Sequence, residues 1–231
     1  MKTKQLLIIN LAVLMVVVMV TTVWAQEKRT KIPEFLTTPD KVESRIGSLE
    51  FNDGYPTGEA AAKIRDELDY LHGVEAFMNS IQGVSTYAIR KGLMDAGVND
   101  NDFIIYTGLM DSKSLFLTAN ADTVYYMSVI DLSNGPVIFE SPPEALGVID
   151  DMWFRWITDF GLPGADRGEG GKYLLVGPGY DGPLPEGGFV IRKSRTTRAL
   201  VLGRSFLTDN DPAPTVAVIK KSIKVYPYTP G

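Results

Sequence analysis

The first feature of the chain is a run of apolar residues close to its amino end. Residues 6–20 are almost wholly apolar, and Lys2 and Lys4 precede them. A short positive segment, an apolar stretch and a small residue such as Ala25 form the pattern of a secretory signal peptide. We therefore expect residues 1–25 to be a signal peptide that is cleaved after Ala25, which predicts a periplasmic or secreted protein. The stretch is also nearly as long as the roughly 20 residues of a membrane span, so an uncleaved anchor is the alternative.

The segment after the signal, residues 26–57, is polar and contains many turn-forming residues. Prolines and an Asp-Gly pair interrupt any regular spacing of apolar side chains. We predict an extended arm that packs through a few apolar residues: Phe35, Leu49, Phe51 and Tyr55.

Helical spacing begins after Thr57, a residue type that commonly caps the amino end of a helix. Ile64, Leu68 and Leu71 recur at intervals of four and three residues, with charged residues between them. This is the spacing of an amphipathic helix. It predicts a long helical segment over residues 58–97.

Glycines interrupt this helical pattern. Gly73 and Gly83 are expected to bend or split the helix, because glycine weakens a helix interior. The sequence then predicts a second helix over residues 84–96, with Gly97 as its carboxyl-terminal cap.

From residue 103 onward the pattern changes to short runs rich in β-branched and aromatic residues, separated by Gly, Pro, Asn and Asp. Seven runs are predicted as strands: residues 103–106, 124–130, 137–139, 153–157, 173–176, 189–191 and 199–202. Short strands at this spacing favour an antiparallel β sandwich or barrel-like domain. A short helix is predicted near residues 211–223. The predicted fold class is α+β, with one domain over residues 58–231 whose β-rich part spans residues 103–208.

The amino-acid composition of the chain limits the kinds of molecule that it is expected to bind. The formal net charge is −5, and it becomes −7 when the two lysines of the predicted signal are removed. This balance argues against nucleic acid, because binding phosphates requires clustered Lys and Arg. The chain has no cysteine and a single histidine, His72. Disulfides, a zinc site and any other metal or cofactor are therefore not predicted.

One group of candidate site residues lies at the start of the strand predicted over residues 124–130: Asn120, Asp122, Thr123 and Tyr125. Short polar side chains at a strand entrance suit a polar ligand pocket, with Asn120 and Thr123 donating and Asp122 accepting. The same residue types also bend chains by bonding to nearby backbone groups. Local turn chemistry is the alternative interpretation.

The second group of candidates is Trp153, Arg155 and Asp159. In a strand, Trp153 and Arg155 lie on the same face, and an arginine among aromatic residues is suited to binding an anionic ligand. Arg155 is equally suited to a structural ion pair with Asp159 or with Asp151.

Residues 166–172 form a charged, glycine-rich stretch before the strand predicted over residues 173–176. Its spacing differs from that of a nucleotide-binding loop. Acidic side chains and backbone carbonyls are the ligands that calcium prefers. A flexible hairpin loop is the favoured interpretation, because such stretches usually connect strands.

An ordered series of sequence blocks resembles a known family. The blocks are TANADTVY (118–125), DLSNGPV (131–137), GKYLLVGPGY (171–180) and RTTRALVLGR (195–204). In this order they resemble the domain-of-unknown-function family 1254, over roughly residues 70–208. The resemblance implies a bacterial envelope-associated or secreted protein. It supplies no agreed catalytic motif, although Asn120, Asp122, Thr123 and Tyr125 match its strongest block.

The resemblance also implies a partner. In this family a second β-rich domain, family 1214, normally follows the first. Residues 226–231 have the composition of a linker. We therefore expect this chain to be the front domain of a longer protein, without its carboxyl-terminal β partner.

Three functions are compatible with these patterns. The leading hypothesis is an exported cell-envelope domain that binds a small molecule or a partner. A hydrolase is the alternative, with Asp122 or Asp159 as general base and Arg155 stabilising an anion. It requires residues 120–125 and 153–159 to form one cleft. The third hypothesis is a domain that serves only to pair with its neighbour.

Overall fold

The computed structural model of the protein describes residues 33–115 and 119–230. The predicted signal peptide, residues 1–25, lies outside the described residues. The chain divides into two compact units, Met1–Val74 and Glu75–Gly231. Among the described residues, no helix is both long enough and apolar enough to cross a membrane.

The first unit contains a 3-10 turn at Glu34–Leu36 and three short antiparallel strands, β1 (Lys41–Ser44), β2 (Gly47–Asn52) and β3 (Tyr55–Pro56). Asp53 and Gly54 both have positive φ angles, of 48° and 84°, and form the two-residue turn between β2 and β3. An Asp-Gly pair is the preferred sequence for such a hairpin.

The segment predicted as an extended arm thus forms its own small sheet. Of the side chains expected to pack, Leu49 is buried, whereas Phe35 and Tyr55 are 84% and 78% exposed. The predicted turn at Asp53 and Gly54 is confirmed, but too few apolar side chains alternate along these short strands to bury both aromatic rings.

Helix α1, Gly58–Asp95, is a single continuous helix of 38 residues. The hydroxyl of Thr57 accepts a hydrogen bond from the Ala60 amide at 3.3 Å, as expected of a cap. Gly97 has a φ of 86° and ends the helical segment as predicted. The expected split of the helix at Gly73 or Gly83 is wrong, because glycine costs a helix only about 1 kcal/mol and neighbouring turns outweigh that cost.

The second unit contains the remaining strands and a second helix. In chain order they are β4 (Ile104–Ile105), β5 (Thr123–Asp131), β6 (Val137–Glu140), β7 (Ala145–Asp151), β8 (Trp156–Gly161), β9 (Lys172–Val176), β10 (Val190–Lys193), β11 (Arg198–Phe206), α2 (Pro212–Ser222) and β12 (Lys224–Pro227). They form a five-stranded antiparallel sheet in the order β4-β5-β11-β7-β8 and a four-stranded sheet in the order β10-β9-β6-β12. The α+β prediction with mainly antiparallel strands is confirmed.

Alternate side chains of β5 show how the layers are held together. Tyr126 and Ile130 point into the main core, which also contains Phe139 and Tyr173 from the four-stranded sheet. Met127 and Val129 point the other way and contact the carboxyl-terminal part of α1 through residues such as Leu93. The two-residue alternation of a strand therefore places the carboxyl-terminal part of helix α1 on one face of the sheet and the second sheet on the other.

Two strand predictions need correction. Residues 153–157 were predicted as a strand, but residues 152–155 form the turn between β7 and β8, where Phe154 has a φ of 55°. Strand β7 itself was not predicted, since Gly147 breaks its apolar pattern. In the structure Gly147 lies under the ring of Phe160, where there is no room for a Cβ atom.

The sheet connections also differ from expectation in one place. Strands β9 and β10 pair in parallel, whereas the spacing favoured antiparallel pairing throughout. The glycine-rich residues 166–172 connect β8 of one sheet to β9 of the other, so they form a crossover between sheets and not a hairpin. The predicted final helix is confirmed as α2, which Asp211 caps by accepting the Ala213 amide at 2.9 Å.

Candidate functional site

The first group of candidates forms a closed local turn at the start of β5. The side-chain oxygen of Asn120 accepts the Asp122 amide at 3.0 Å and the Thr123 hydroxyl at 2.8 Å. The backbone amide of Asn120 in turn donates to the Tyr125 hydroxyl at 3.0 Å. The polar atoms of this block therefore bind one another, as the local-turn interpretation predicts.

Tyr125 is tied to this turn electrostatically as well. Burial raises the pKa of Tyr125, but hydrogen bonds from the Asn120 backbone and from Arg204 outweigh burial, and the pKa lies below its usual value. The block thus stabilises one end of the β5–β11 pair.

Two residues of the second group, Trp153 and Arg155, lie in the turn between β7 and β8, which Asp151 organises, whereas Asp159 lies within β8. The Asp151 carboxylate is 1% exposed. It accepts the backbone amides of Trp153 and Arg155 at 2.8 and 3.1 Å, and the Arg155 Nε at 2.7 Å. Arg155 is therefore engaged in the structural ion pair that was one of its two predicted roles.

The Asn120 turn and the turn that contains Trp153 and Arg155 lie at opposite ends of the five-stranded sheet. Thr123 pairs with Phe206 at one end of the β5–β11 ladder. At the other end Asp131 pairs with Arg198, and the adjacent Ala199 faces Asp151. Eight residue steps along a strand span about 27 Å. The predicted cleft shared by residues 120–125 and 153–159 is therefore wrong.

The hydrolase hypothesis depended on that cleft. Asp122 is separated from Arg155 by the length of β5, and Asp159 pairs with Val148 within the sheet. A general base and an anion stabiliser must both reach the same substrate. Asp122 and Arg155 do not provide this arrangement.

One carboxyl group near the second turn does have a raised pKa. Burial, together with the charges of Asp151 and Asp159, raises the pKa of Asp150. Asp150 is 8% exposed and lies within β7. Among the described residues, no group of three His, Cys, Asp or Glu side chains is arranged to hold a metal ion.

Residues 166–172 are likewise held together internally. The Asp166 carboxylate accepts the Tyr173 hydroxyl at 2.6 Å, the Gly161 amide at 2.7 Å and the Ser141 hydroxyl at 3.0 Å. Burial and the Asp166 charge raise the pKa of Tyr173 well above its usual value. A groove beside this stretch is lined by three glycines and by charged residues, among them Arg167, Glu169 and Lys172. These contacts give Asp166 a structural role in the crossover.

A different groove lies at the Asp151 end of the sheet, entirely within the second unit. It encloses about 560 Å³, within the range of about 300–1,000 Å³ typical of small-molecule sites. Its walls come from helix α1, the turn between β7 and β8, and the turn between β10 and β11. The lining residues are Ser80, Gly83, Val84, Tyr87, Arg90, Met152, Trp153, Thr196, Thr197 and Arg198.

Two small side chains and one glycine hold the aromatic wall of this groove. The hydroxyl of Thr86, which is fully buried, donates to the Met152 carbonyl at 2.5 Å and so joins α1 to the turn. The Thr196 hydroxyl accepts the Met152 amide at 3.0 Å. A Cβ at Gly83 would lie 3.0 Å from the ring of Trp153, so glycine permits this close approach. The Trp153 ring is therefore held in place although it is 44% exposed.

The polar side of the groove is a network of two arginines and two carboxylates. Arg90 binds Asp100 through two hydrogen bonds, at 2.8 and 2.7 Å. Arg198 joins Asp100 at 2.9 Å and Asp131 at 3.0 Å. Burial raises the pKa of Asp100, but the bonds from Arg90 and Arg198 outweigh burial and hold the pKa below its usual value.

Sequence reasoning found only part of this site. Trp153 was singled out for its aromatic neighbourhood and does line the groove. Arg90, Tyr87 and Arg198 were missed, because their positions in the chain are far apart and no spacing rule connects them. Arg198 did lie in a block that carried the family resemblance, which was the one available signal.

Comparison with known proteins agrees with the fold. The crystal structure of the VPA0106 protein from Vibrio parahaemolyticus is similar, with a TM-score of 0.51 and 15% sequence identity over 68% of this chain. The chain spans 39% of the length of that protein. At this level of identity the similarity concerns the fold alone.

No curated protein matches the chain. Residues 101–227 match the family described as protein of unknown function (DUF1254). This match covers more than half of the sequence. The chain therefore belongs to the DUF1254 family.

Proposed function

We propose that this chain is an exported bacterial cell-envelope domain that binds a small amphipathic anion in the groove between helix α1 and the Trp153 turn. The observation that carries the proposal is the meeting of two exposed aromatic rings and two arginines in one concave site. The proposal keeps the predicted signal peptide and the following β-rich partner of family 1214.

The aromatic wall supports an apolar part in the ligand. Tyr87 is 58% exposed and Trp153 is 44% exposed, although Trp153 is fixed by Asp151 and by its contact with Gly83. An exposed ring with a fixed position binds flat apolar groups with little loss of side-chain entropy. Met152 and Val84 extend the same apolar surface.

The two arginines of the groove support an anionic group in the ligand. A guanidinium has five N–H donors in a planar fork, and the bonds to Asp100 and Asp131 use two donors of Arg90 and two of Arg198. The carboxylates hold both side chains in place, so a carboxylate or sulfonate of a ligand meets preorganised donors.

Two fluorescent dyes with related rings test this proposal. 8-Anilinonaphthalene-1-sulfonate has an aromatic body and an anionic group, and N-phenyl-1-naphthylamine is a close neutral counterpart. We expect the sulfonate to bind the purified chain about tenfold more tightly, the equivalent of one charge-assisted hydrogen bond. Titration of dye fluorescence measures both affinities.

Matched tryptophan variants locate the binding. Trp153→Ala should weaken sulfonate binding about tenfold or more, since it removes a stacking surface. Trp156→Ala is the control, because Trp156 is 66% exposed and lies outside the groove. Equal effects of the two substitutions, or equal affinity for the two dyes, would contradict the proposal.

Export is tested separately. The chain is expressed with its full amino end in a Gram-negative host, and the cells are separated into periplasmic and cytoplasmic fractions. The proposal predicts a periplasmic product whose first residue is Gln26. A cytoplasmic product that retains Met1 would overturn the export part and leave the groove proposal standing.

A further inference from the structure

The middle of helix α1 has an unusual surface. Between Tyr70 and Ile89 the sequence contains one charged residue, Glu75. Several large apolar side chains of this stretch are exposed: Tyr70 65%, Leu71 44%, Val74 42%, Phe77 69%, Met78 56%, Ile81 41% and Val84 62%. A solvated helix face normally carries charged residues. Exposed apolar patches of this extent mark interaction surfaces.

The spacing of these residues identifies the kind of surface. Starting at Tyr70, the apolar positions follow one another at intervals of four, three, four, three and four residues: Tyr70, Val74, Phe77, Ile81, Val84 and Ala88. This is the repeat of the a and d positions of a coiled coil, which places all six on one seam. A seam of this kind is complementary to another helix with the same repeat.

The charge pattern argues against a lipid membrane as the partner of this helix face. Helices that lie in a membrane interface are rich in Lys and Arg on their polar face. Residues 70–89 contain neither Lys nor Arg. The positions that flank the seam, among them Leu71, Met78 and Ser80, are uncharged as well, so no like charges oppose the approach of an identical helix.

We propose that two copies of this chain pair through this face of α1, with the two helices antiparallel. Antiparallel pairing about the centre of the seam sets Tyr70 against Ala88 of the second copy, Val74 against Val84, and Phe77 against Ile81. Tyr70, the largest side chain of the seam, then faces Ala88, the smallest, and the other two pairs are close in size, which keeps the helix separation even along the seam. Parallel pairing would set Tyr70 against Tyr70 and Ala88 against Ala88, with uneven separation.

The available area is sufficient for a dimer. From these exposed fractions, the seven side chains offer roughly 570–950 Å² per copy, taking about 150–250 Å² for each fully exposed large side chain. Two copies would then bury at most about 1,100–1,900 Å², which overlaps the range of specific interfaces of about 1,200–2,000 Å². This inference does not rest on the proposed ligand, although Val84 belongs both to the seam and to the groove wall.

The absence of cysteine from the chain permits a direct test. Met78→Cys places one thiol beside the centre of the seam, where its counterpart on an antiparallel partner is close. Asn79→Cys is the matched control: it is the next residue, it is also exposed, and it points away from the seam. Both full-length variants are oxidised with copper phenanthroline, and their folding is checked by circular dichroism.

The expected result is a disulfide-linked dimer that forms at least about tenfold faster for Met78→Cys than for Asn79→Cys, because only the seam thiol is held near its partner. Equal rates, as expected for non-specific association, or no dimer with either variant would overturn the proposal.

A second pair of variants tests the orientation. Val74→Cys mixed with Val84→Cys should give the mixed disulfide in preference to either self-linked product. Preferential self-linking of Val84→Cys would overturn the antiparallel arrangement, because ten residues of helix, about 15 Å, would separate these thiols in an antiparallel pair.

Discussion

The two ends of the five-stranded sheet contrast in how their polar residues are satisfied. At one end, the Asn120 turn binds its own atoms within five residues of chain. At the other end, Asp100 joins Arg90 and Arg198, which are 108 residues apart, and leaves two aromatic rings open to solvent. A local set of hydrogen bonds builds a turn, whereas a set that needs several chain segments also builds a cavity between them.

The contrast predicts that substitutions at the groove end cost the most. Asp100→Asn should destabilise the protein by about 2–3 kcal/mol, less than the roughly 3–5 kcal/mol for a fully buried pair because Arg90 and Arg198 are partly exposed. Urea unfolding at pH 7 measures the loss. Asp122 is an exposed carboxylate at the other end of the sheet. If Asp100→Asn cost less stability than Asp122→Asn, the contrast between the two ends would be contradicted.

Asp100 also predicts a pH dependence. Its pKa is held below the usual value of 3.8, so the unfolded chain takes up its proton at a higher pH than the native protein does. The stabilisation is therefore present above about pH 4 and is lost as the pH falls through the lowered pKa. The difference in unfolding free energy between the wild type and Asp100→Asn should shrink from pH 5 to pH 2.5, and a constant difference would contradict this.

The next largest effect is expected at Asp151, which shapes the groove turn. Asp151→Ala leaves the amides of Trp153 and Arg155 without their acceptor and should cost about 2 kcal/mol. Arg155→Ala removes only the half-exposed partner and should cost less than about 1 kcal/mol. Asp151→Ala should also weaken sulfonate-dye binding, because the Trp153 ring loses its position. A similar cost for both substitutions would indicate that the ion pair, and not the turn, carries the stability.

A smaller effect is expected from the local turn at the other end of the sheet. Asn120→Ala removes one acceptor of two hydrogen bonds and should cost about 1 kcal/mol, with dye binding unchanged. Asp122→Ala should change stability by less than about 0.5 kcal/mol, since its exposed side chain is not needed for the turn. Weaker dye binding by Asn120→Ala would show that the two ends are coupled.

The smallest effects are expected from glycine substitutions in helix α1, one of which contacts the aromatic wall of the groove. Gly92→Ala, where nothing lies within 4 Å of the new Cβ, should stabilise α1 by about 0.5–1 kcal/mol. Gly83→Ala should stabilise the helix less than Gly92→Ala does, because the new Cβ atom contacts the Trp153 ring. It should also shift the tryptophan fluorescence spectrum, which Gly92→Ala should leave unchanged. Equal stabilisation and unchanged spectra for both would show that the ring is free to move.

Much of the secondary structure was predictable because its causes are local. Thr57 and Asp211 cap their helices through bonds to residues two or three positions on, and β5, β9 and β11 carry β-branched and aromatic runs. The prediction failed where residue type did not show which local effect would prevail. Gly83 stays helical because the neighbouring turns outweigh the cost of one glycine. Residues 152–155 form a turn because the buried Asp151 carboxylate accepts the amides of Trp153 and Arg155.

The candidate site was predictable to a smaller degree. Trp153 stood out by composition, and Arg155 was given two roles of which the structure shows the ion pair. Arg90, Asp100 and Arg198 meet only because β5 and β11 pair in a register that brings Asp131 beside Arg198. Pairing register between distant strands depends on the whole core and leaves no spacing pattern in the sequence.

By itself, the sequence determined the α+β class, the DUF1254 resemblance, the helix caps and the apolar seam of α1, because short-range spacing encodes each of them. The tertiary structure alone decided that the Asn120 block closes on itself and that the Trp153 turn opens a groove with Tyr87 and two arginines. The physical reason is that hydrogen bonds within a few residues follow from residue type, whereas a cavity exists only after separate segments have packed.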